Sequence, residues 1–123
     1  MWQYQISTGE LLNNTGNFIG TGYSGVGLSF ADGRNNPTMV SDPDVGPIPP
    51  GFYQIGLPYQ HPTEGPCVMN LTPIDGTNDF GRSAFHIHGN NVINNASKGC
   101  IILGPSIRQA IANSGDNELK VII

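Results

Sequence analysis

The chain has 123 residues, of which 11% are charged, and its formal net charge at pH 7 is -4. That length predicts a single domain spanning residues 1–123. The five basic residues are scattered singly, so no basic patch indicates binding to nucleic acid or to an anionic membrane surface. No apolar run approaches the ~20 residues needed to cross a bilayer. The 17 glycines and 10 prolines favour many turns and exclude a bundle of long helices.

Period-two patterning predicts a strand in the first residues, because Trp2, Tyr4 and Ile6 fall on one face. Turn residues follow at 8–10 and 13–17, and together these features predict an antiparallel meander. The same beginning lacks the basic and apolar regions of a signal peptide. We therefore expect the chain to be made in the cytoplasm and to reach any other compartment by another route.

Residues 20–50 contain six glycines and five prolines without clear periodicity, which predicts a functional or wrapping loop. Strands are predicted again at 52–55, 68–72 and 84–88. In the last of these, Phe85 and Ile87 face one side of the sheet, and Ala84, His86 and His88 face the other.

One short helix is predicted near the C-terminus, opening at Pro105 and ending at Ser114 and Gly115. A final strand is predicted at 119–123. With seven or eight strands and one helix, the expected class is mainly β, as a sandwich or a partly closed barrel.

Two cysteines are present, and their surroundings differ. Cys67 enters a predicted strand and is interpreted as structural. Cys100 follows Gly99, which permits close backbone approach, and N–H groups there can face a developing oxyanion. A nucleophilic thiol needs a basic neighbour, for which His88 is the candidate, and Lys98 adds positive potential. The alternatives are a disulfide between the cysteines or two inert thiols.

Three further polar residues have two readings each. His86 shares a strand face with His88 and either lines the cleft or is a partly exposed strand histidine. Arg82 either holds a substrate carboxylate or bonds to carbonyls of a turn. Ser97 either acts chemically or holds the loop before Cys100 through a backbone hydrogen bond, and we expect the second.

A metal site is the first rival interpretation. His86 and His88 together with Cys100 offer three ligands of kinds that zinc accepts, which would make the protein a zinc-dependent hydrolase. The second rival is a non-catalytic module that binds the cell wall. The preferred interpretation requires no cofactor.

A family resemblance supports the cysteine interpretation. His88–Gly89 followed by Ser97–Lys98–Gly99–Cys100 resembles the signature of the L,D-transpeptidases with the YkuD-type catalytic domain, although the intervening loop is short. Further stretches resemble the DUF2778 group, which includes the Tlde1 effectors of type VI secretion: Gly20–Gly25, Asn35–Pro37, Gly46–Pro49, Gly51–Gly56, Leu71–Pro73, Phe80–Ser83 and Ser114–Val121. Asn90 departs from the aspartate expected after His-Gly.

The resemblance implies an L,D-transpeptidase-like fold and a cysteine mechanism. Cys100 would be the nucleophile and His88 the base, with the Gly89 carbonyl orienting the imidazole. The N–H groups of Gly99 and Cys100 would bind the oxyanion. The substrate would be the peptidoglycan tetrapeptide stem, with D-Ala as the leaving group and a D-amino acid as one possible acceptor. Apart from the resemblance, the candidate substrate contacts are Ser97, Lys98, Arg82 and His86.

The resemblance also implies partners and a destination. We expect delivery by type VI secretion components to the periplasm of a target bacterium, and a cognate immunity protein in the producer. No nucleic-acid or membrane partner is expected.

Overall fold

The computed structural model describes residues 1–123 and contains ten β-strands, one α-helix and two 3-10 turns at Phe30–Asp32 and Pro37–Met39. The strands are β1 Trp2–Gln5, β2 Glu10–Leu12, β3 Phe18–Thr21, β4 Tyr23–Ser24, β5 Gly51–Ile55, β6 Tyr59–His61, β7 Gly65–Ile74, β8 Phe85–His88, β9 Ile101–Ile102 and β10 Glu118–Ile122; the helix is α1 Pro105–Asn113. The predicted mainly β class with one short helix near the C-terminus is confirmed. None of the helical segments has the length and apolarity needed to cross a membrane.

The strands form one mixed sheet in the order β3-β2-β1-β10-β5-β7-β8-β9-β4, and β6 pairs with β7 outside this path. Two pairs are parallel, β1 with β10 and β8 with β9, and the others are antiparallel. The first and last strands of the path, β3 and β4, are separated in the chain by Gly22 alone. The sheet therefore curls until its two ends meet, as a nearly closed barrel.

Alternating apolar residues explain where the core lies. Trp2 and Tyr4 on β1 and Leu119 and Val121 on β10 point to the same side and are buried. They pack in one cluster with side chains of β5, β7 and β8 and with Ile111 of α1. The helix thus covers the sheet with one apolar face, as a short amphipathic helix must.

The structure corrects the predicted strands in two respects. It has ten strands rather than seven or eight, because β4 and β6 are too short for a periodic pattern to reveal them. Ala84 was expected on the same strand face as His86 and His88, but it lies before β8 with φ at 60°. That φ lies outside the β region, and β8 begins only at Phe85.

Substitution of Gly22 tests whether the barrel depends on close backbone packing where its two ends meet. The Gly22 N–H donates to the Gly9 carbonyl at 2.8 Å, and a Cβ on Gly22 would overlap the carbonyl oxygen of Ile102 and lie 2.7 Å from the Leu103 side chain. We expect Gly22→Ala to lower the free energy of unfolding by about 1–3 kcal/mol, measured by chemical denaturation. Gly56→Ala is the control, since its Cβ would meet only ordinary contacts from 3.5 Å. Equal stability of the two variants would contradict this account.

Candidate active site

The parallel pairing of β8 with β9 brings the two predicted catalytic residues together. Ile87 pairs with Ile101 and His88 with Ile102, so the residue just before β9, Cys100, lies beside the middle of β8. A ring nitrogen of His88, the Sγ of Cys100 and a carboxylate oxygen of Glu64 all lie within 4.8 Å of one another. The sequence motifs that suggested this pair therefore meet in space.

His88 is held as a neutral base. Its Nδ1 lies 2.9 Å from the Gly89 carbonyl, which can only accept, so Nδ1 carries the proton and Nε2 keeps its lone pair. The ring is 5% exposed, and burial lowers the pKa of His88, although the Glu64 charge and the Gly89 hydrogen bond act in the opposite direction. The predicted orienting contact from Gly89 is present in the structure.

The Cys100 thiol is protonated at rest. Burial, with the nearby Glu64 charge as a smaller contribution, raises the pKa of Cys100 to about 12, while the His86 N–H and the Arg82 charge act to lower it. The Sγ also lies 3.7 Å from the Ala84 carbonyl, which suits a protonated donor. The positive charge that acts on the thiol is thus that of Arg82 rather than Lys98. Deprotonation of the thiol requires a base at the moment of attack.

A cleft of about 360 Å³ opens above the thiol. Four of the predicted substrate-contacting or catalytic residues besides Cys100 line it: Arg82, His86, Lys98 and Gly99. His88, Gly89 and Ser97 are not among the residues that line it. The cleft carries charges of both signs, because Glu64 and Asp44 line it together with Lys98.

Arg82 is engaged with the backbone. The guanidinium is buried and donates to the carbonyls of Val40 and Pro47 at 2.7 Å each and of Gly46 at 3.0 Å, with Lys98 O at 3.5 Å. These contacts support the turn-stabilising interpretation of Arg82 and clamp the 40–47 loop to the segment before Cys100.

Ser97 and Gly99 shape the backbone at the thiol. The buried Ser97 hydroxyl donates to Cys100 O at 2.7 Å and accepts from the N–H groups of Gly25 at 3.0 Å and Gly99 at 3.1 Å. Ser97 therefore holds the loop, as predicted. Gly99 has φ at 129°, and a Cβ there would overlap the Arg82 guanidinium. Because the Gly99 N–H already donates to Ser97, only the Cys100 N–H of the two predicted oxyanion donors is free.

The sequence reading missed Glu64. Its Oε1 accepts from His86 Nδ1 at 2.8 Å, and its Oε2 lies 3.7 Å from His88 Nε2. Glu64 is placed there by the β6–β7 turn, in which His61 Nδ1 accepts the N–H groups of Thr63 and Glu64. In the sequence, the only sign of this turn is that a glycine follows Glu64. Nothing in the spacing of the sequence connects Glu64 to residues 86–100.

Arg108 was also missed, since it was read only as part of a helix. It is buried and donates to the Leu103 carbonyl at 2.6 Å. A Cβ on Gly89 would lie 2.8 Å from its guanidinium. Arg108 therefore packs against the residue whose carbonyl orients His88, and it requires a glycine at that position.

Two groups of side chains have ligand atoms close enough for a metal ion, and both include Glu64. The predicted set of His86, His88 and Cys100 is not one of them, because His86 Nδ1 is turned to Glu64. The first group is His61, Glu64 and His86. His61 Nδ1 accepts two backbone N–H groups, so the proton sits on Nε2, the nitrogen that would have to bind the metal. That donor set does not fit.

The second group is Glu64, His88 and Cys100, and its atoms are of types that zinc accepts. The Gly89 carbonyl fixes the His88 tautomer that leaves Nε2 free for a metal. The same geometry also suits a thiol and its base. Both cysteines are free thiols, so no disulfide blocks Cys100.

A protein-family model matches most of this chain. The family model described as "Tlde1 domain" matches residues 19–122. That range contains β8, the segment before β9 and α1, and thus every residue of the site described above. No curated protein matches the chain significantly.

The pH dependence of Cys100 alkylation tests the electrostatics of the thiol. We expect the wild-type rate with iodoacetamide to keep rising up to about pH 10 without a plateau, because the thiol pKa is raised. Glu64→Gln removes a like charge, lowers the Cys100 pKa and speeds alkylation at each pH. Site-resolved mass spectrometry separates Cys100 from Cys67. A wild-type plateau near about pH 8 would contradict the raised pKa.

Ser97→Ala tests the loop before the nucleophile. Removing the hydroxyl leaves two buried N–H donors and a carbonyl unpaired, at about 1–3 kcal/mol each. We expect a clear fall in melting temperature, measured by calorimetry. Ser106→Ala is the control, since Ser106 is exposed and its hydroxyl makes no hydrogen bond within the chain. A Ser97→Ala variant as stable as the control would refute the role of Ser97.

Proposed function

The chain belongs to the Tlde1 domain family, and on that premise we propose that it is a cysteine-dependent L,D-carboxypeptidase or L,D-transpeptidase acting on peptidoglycan tetrapeptide stems. The family itself supports an effector-like domain of type VI secretion. The specific reaction is our proposal.

One observation carries it. The free Nε2 of neutral His88 and the Sγ of Cys100 lie within 4.8 Å of each other beside the cleft, with the tautomer of His88 fixed by Gly89. A nucleophile, a base and a group that orients the base form the arrangement used in covalent catalysis by thiols. The orienting group is a neutral carbonyl, and the sequence holds no carboxylate between residues 88 and 100.

The first half-reaction forms a thioester. Nε2 of His88 takes the thiol proton as Sγ attacks the carbonyl carbon of the third stem residue. The oxyanion accepts a hydrogen bond from the Cys100 N–H. When the tetrahedral intermediate collapses, the C–N bond breaks and the imidazolium gives its proton to the departing amine of D-Ala. The base thereby returns to its neutral form.

The second half-reaction depends on the acceptor. Water yields a tripeptide stem, which is carboxypeptidase activity. A free D-amino acid yields an exchanged stem, and the amine of a second stem yields a 3-3 crosslink. Trimmed or exchanged stems no longer serve as donors for ordinary crosslinking, which would harm a growing cell.

This activity suits an antibacterial toxin. We propose that the protein is made in the cytoplasm, carried by type VI secretion components and delivered to the periplasm of a target bacterium, where stems are accessible. The producing cell would need a cognate immunity protein, and one that covers the cleft at Cys100 would suffice.

Purified muropeptides provide the test. We expect wild type to release D-Ala, and to form exchange products when D-Met is added. Cys100→Ala should lose activity by about 10³-fold or more. Cys67→Ala is the matched control and should keep it, because Cys67 lies outside the cleft lining.

Two outcomes would favour the rival functions. Loss of activity on chelation, with stoichiometric zinc and recovery on zinc addition, would replace the thiol nucleophile by a zinc site. Full toxicity of Cys100→Ala without any product would favour a non-catalytic cell-wall module.

A further inference from the structure

One oxygen of the Glu64 carboxylate has no hydrogen-bond partner in the protein. Oε1 accepts from His86 Nδ1 at 2.8 Å, which fixes the direction of the carboxylate. Oε2 lies 3.7 Å from Nε2 of His88. Because His88 carries its proton on Nδ1, Nε2 donates nothing to Oε2. The free lone pairs of Oε2 therefore lie beside the atom that moves protons in the proposed reaction, on a side chain that is 23% exposed.

Glu64 has opposing effects on formation of the thioester, because its charge favours the imidazolium of His88 and disfavours the thiolate of Cys100. Its charge raises the pKa of the Cys100 thiol, and a higher pKa lowers the fraction of thiolate. Bracing His86 would require only one acceptor oxygen, which a neutral amide also provides. Neither contact of Glu64 uses the free lone pairs of Oε2, which leaves them for another species in the cleft.

The acceptor amine is such a species. Any nitrogen that exchanges a proton with His88 must come within about 2.6–3.2 Å of Nε2. A nitrogen at that distance can at the same time lie within hydrogen-bond distance of Oε2, because the two protein atoms are 3.7 Å apart. A charge-assisted bond from an ammonium to a carboxylate is stronger than one from neutral water. The position therefore favours an amine over water.

We propose that Glu64 forms an ammonium subsite that binds the free amino group of the acceptor and sets the partition of the thioester between exchange and hydrolysis. The inference rests on the proposed function. It names Glu64 as a specificity-determining residue and a D-amino acid, or another primary amine, as its ligand. Lys98 lines the same cleft, makes no salt bridge, and supplies the opposite charge for the acceptor carboxylate.

The acceptor step transfers the acyl group from the Cys100 sulfur to the nitrogen of the acceptor. The ammonium bound at Oε2 releases one proton to bulk water and becomes a nucleophilic amine. Its nitrogen attacks the thioester carbonyl, the C–N bond forms and the C–S bond breaks. A second N–H proton passes to Nε2 of His88 and from there to the departing Cys100 sulfur. The products are the exchanged stem and the free thiol.

The partition of products is the measurement. Wild type and Glu64→Gln are incubated with tetrapeptide muropeptides over a range of D-Met concentrations, and the ratio of exchanged stem to tripeptide is determined. Both products arise from the same thioester, so the ratio does not depend on how fast that thioester forms. We expect Glu64→Gln to lower the ratio about tenfold or more. Glu64→Asp keeps the negative charge on a shorter side chain, farther from His88. Its ratio should lie between those of wild type and Glu64→Gln.

Asp44→Asn is the matched control. It removes a negative charge from the lining of the same cleft, and Asp44 makes no contact with His86 or His88. Its ratio should stay within about twofold of wild type. Hydroxylamine, a mostly uncharged nucleophile at neutral pH, is a second control, since its partition should not respond to Glu64→Gln.

Three outcomes would overturn the subsite. The ratio could be unchanged in Glu64→Gln, it could fall equally in Asp44→Asn, or hydroxylamine could lose as much as D-Met. The first would mean that Glu64 serves only as the hydrogen-bond acceptor of His86. The second would mean that any negative charge in the cleft has the same effect. Absence of any Cys100-dependent product from wild type would instead refute the proposed function. Melting temperatures of all variants establish that they are folded.

Discussion

The parallel register between β8 and β9 is the constraint on which the site depends. It places Cys100, the residue before β9, beside β8, whose last residue is His88. The short strands cannot hold this register alone, because they share few hydrogen bonds. Buried polar contacts around them complete the support: Ser97 fixes the loop from within, and Arg82 ties it to three carbonyls of the 40–47 segment. A buried guanidinium whose two terminal nitrogens donate to backbone carbonyls is a rigid clamp.

Burial then determines the protonation states of the pair. It raises the pKa of the thiol and lowers the pKa of His88, so both groups are neutral at rest. A neutral thiol beside a neutral imidazole is reactive only when substrate completes the site and the proton moves during attack. Glu64 works against early ionisation of Cys100 and favours the imidazolium. The same carboxylate can therefore restrain the free thiol and still help the step that uses an amine.

Much of this arrangement was predictable from local patterns. Alternation located β1 and β8, strands were also predicted where β5, β7 and β10 lie, and the proline and glycine signals bounded α1. The His88–Gly89 and Ser97-to-Cys100 motifs pointed to the YkuD-type L,D-transpeptidases, and further stretches between Gly20 and Val121 pointed to the group that the Tlde1 domain match identifies. Both motifs are short and local, so they can be recognised without knowledge of the fold. The interpretation of Ser97 as a loop support also needed only its position before a glycine.

The sequence by itself determined the fold class, the family and the two residues proposed to react, because each is encoded within a few neighbouring positions. Only the tertiary structure decided the surroundings of that pair. Glu64 reaches His88 across the sheet, and Arg82 is committed to backbone carbonyls rather than open to a substrate. The Gly99 N–H is likewise occupied by Ser97. Glu64 and Arg82 contact residues that are distant in the chain, and the Gly99 N–H has two possible acceptors, Ser97 and the substrate. Spacing along the sequence predicts neither the distant contacts nor the choice of acceptor.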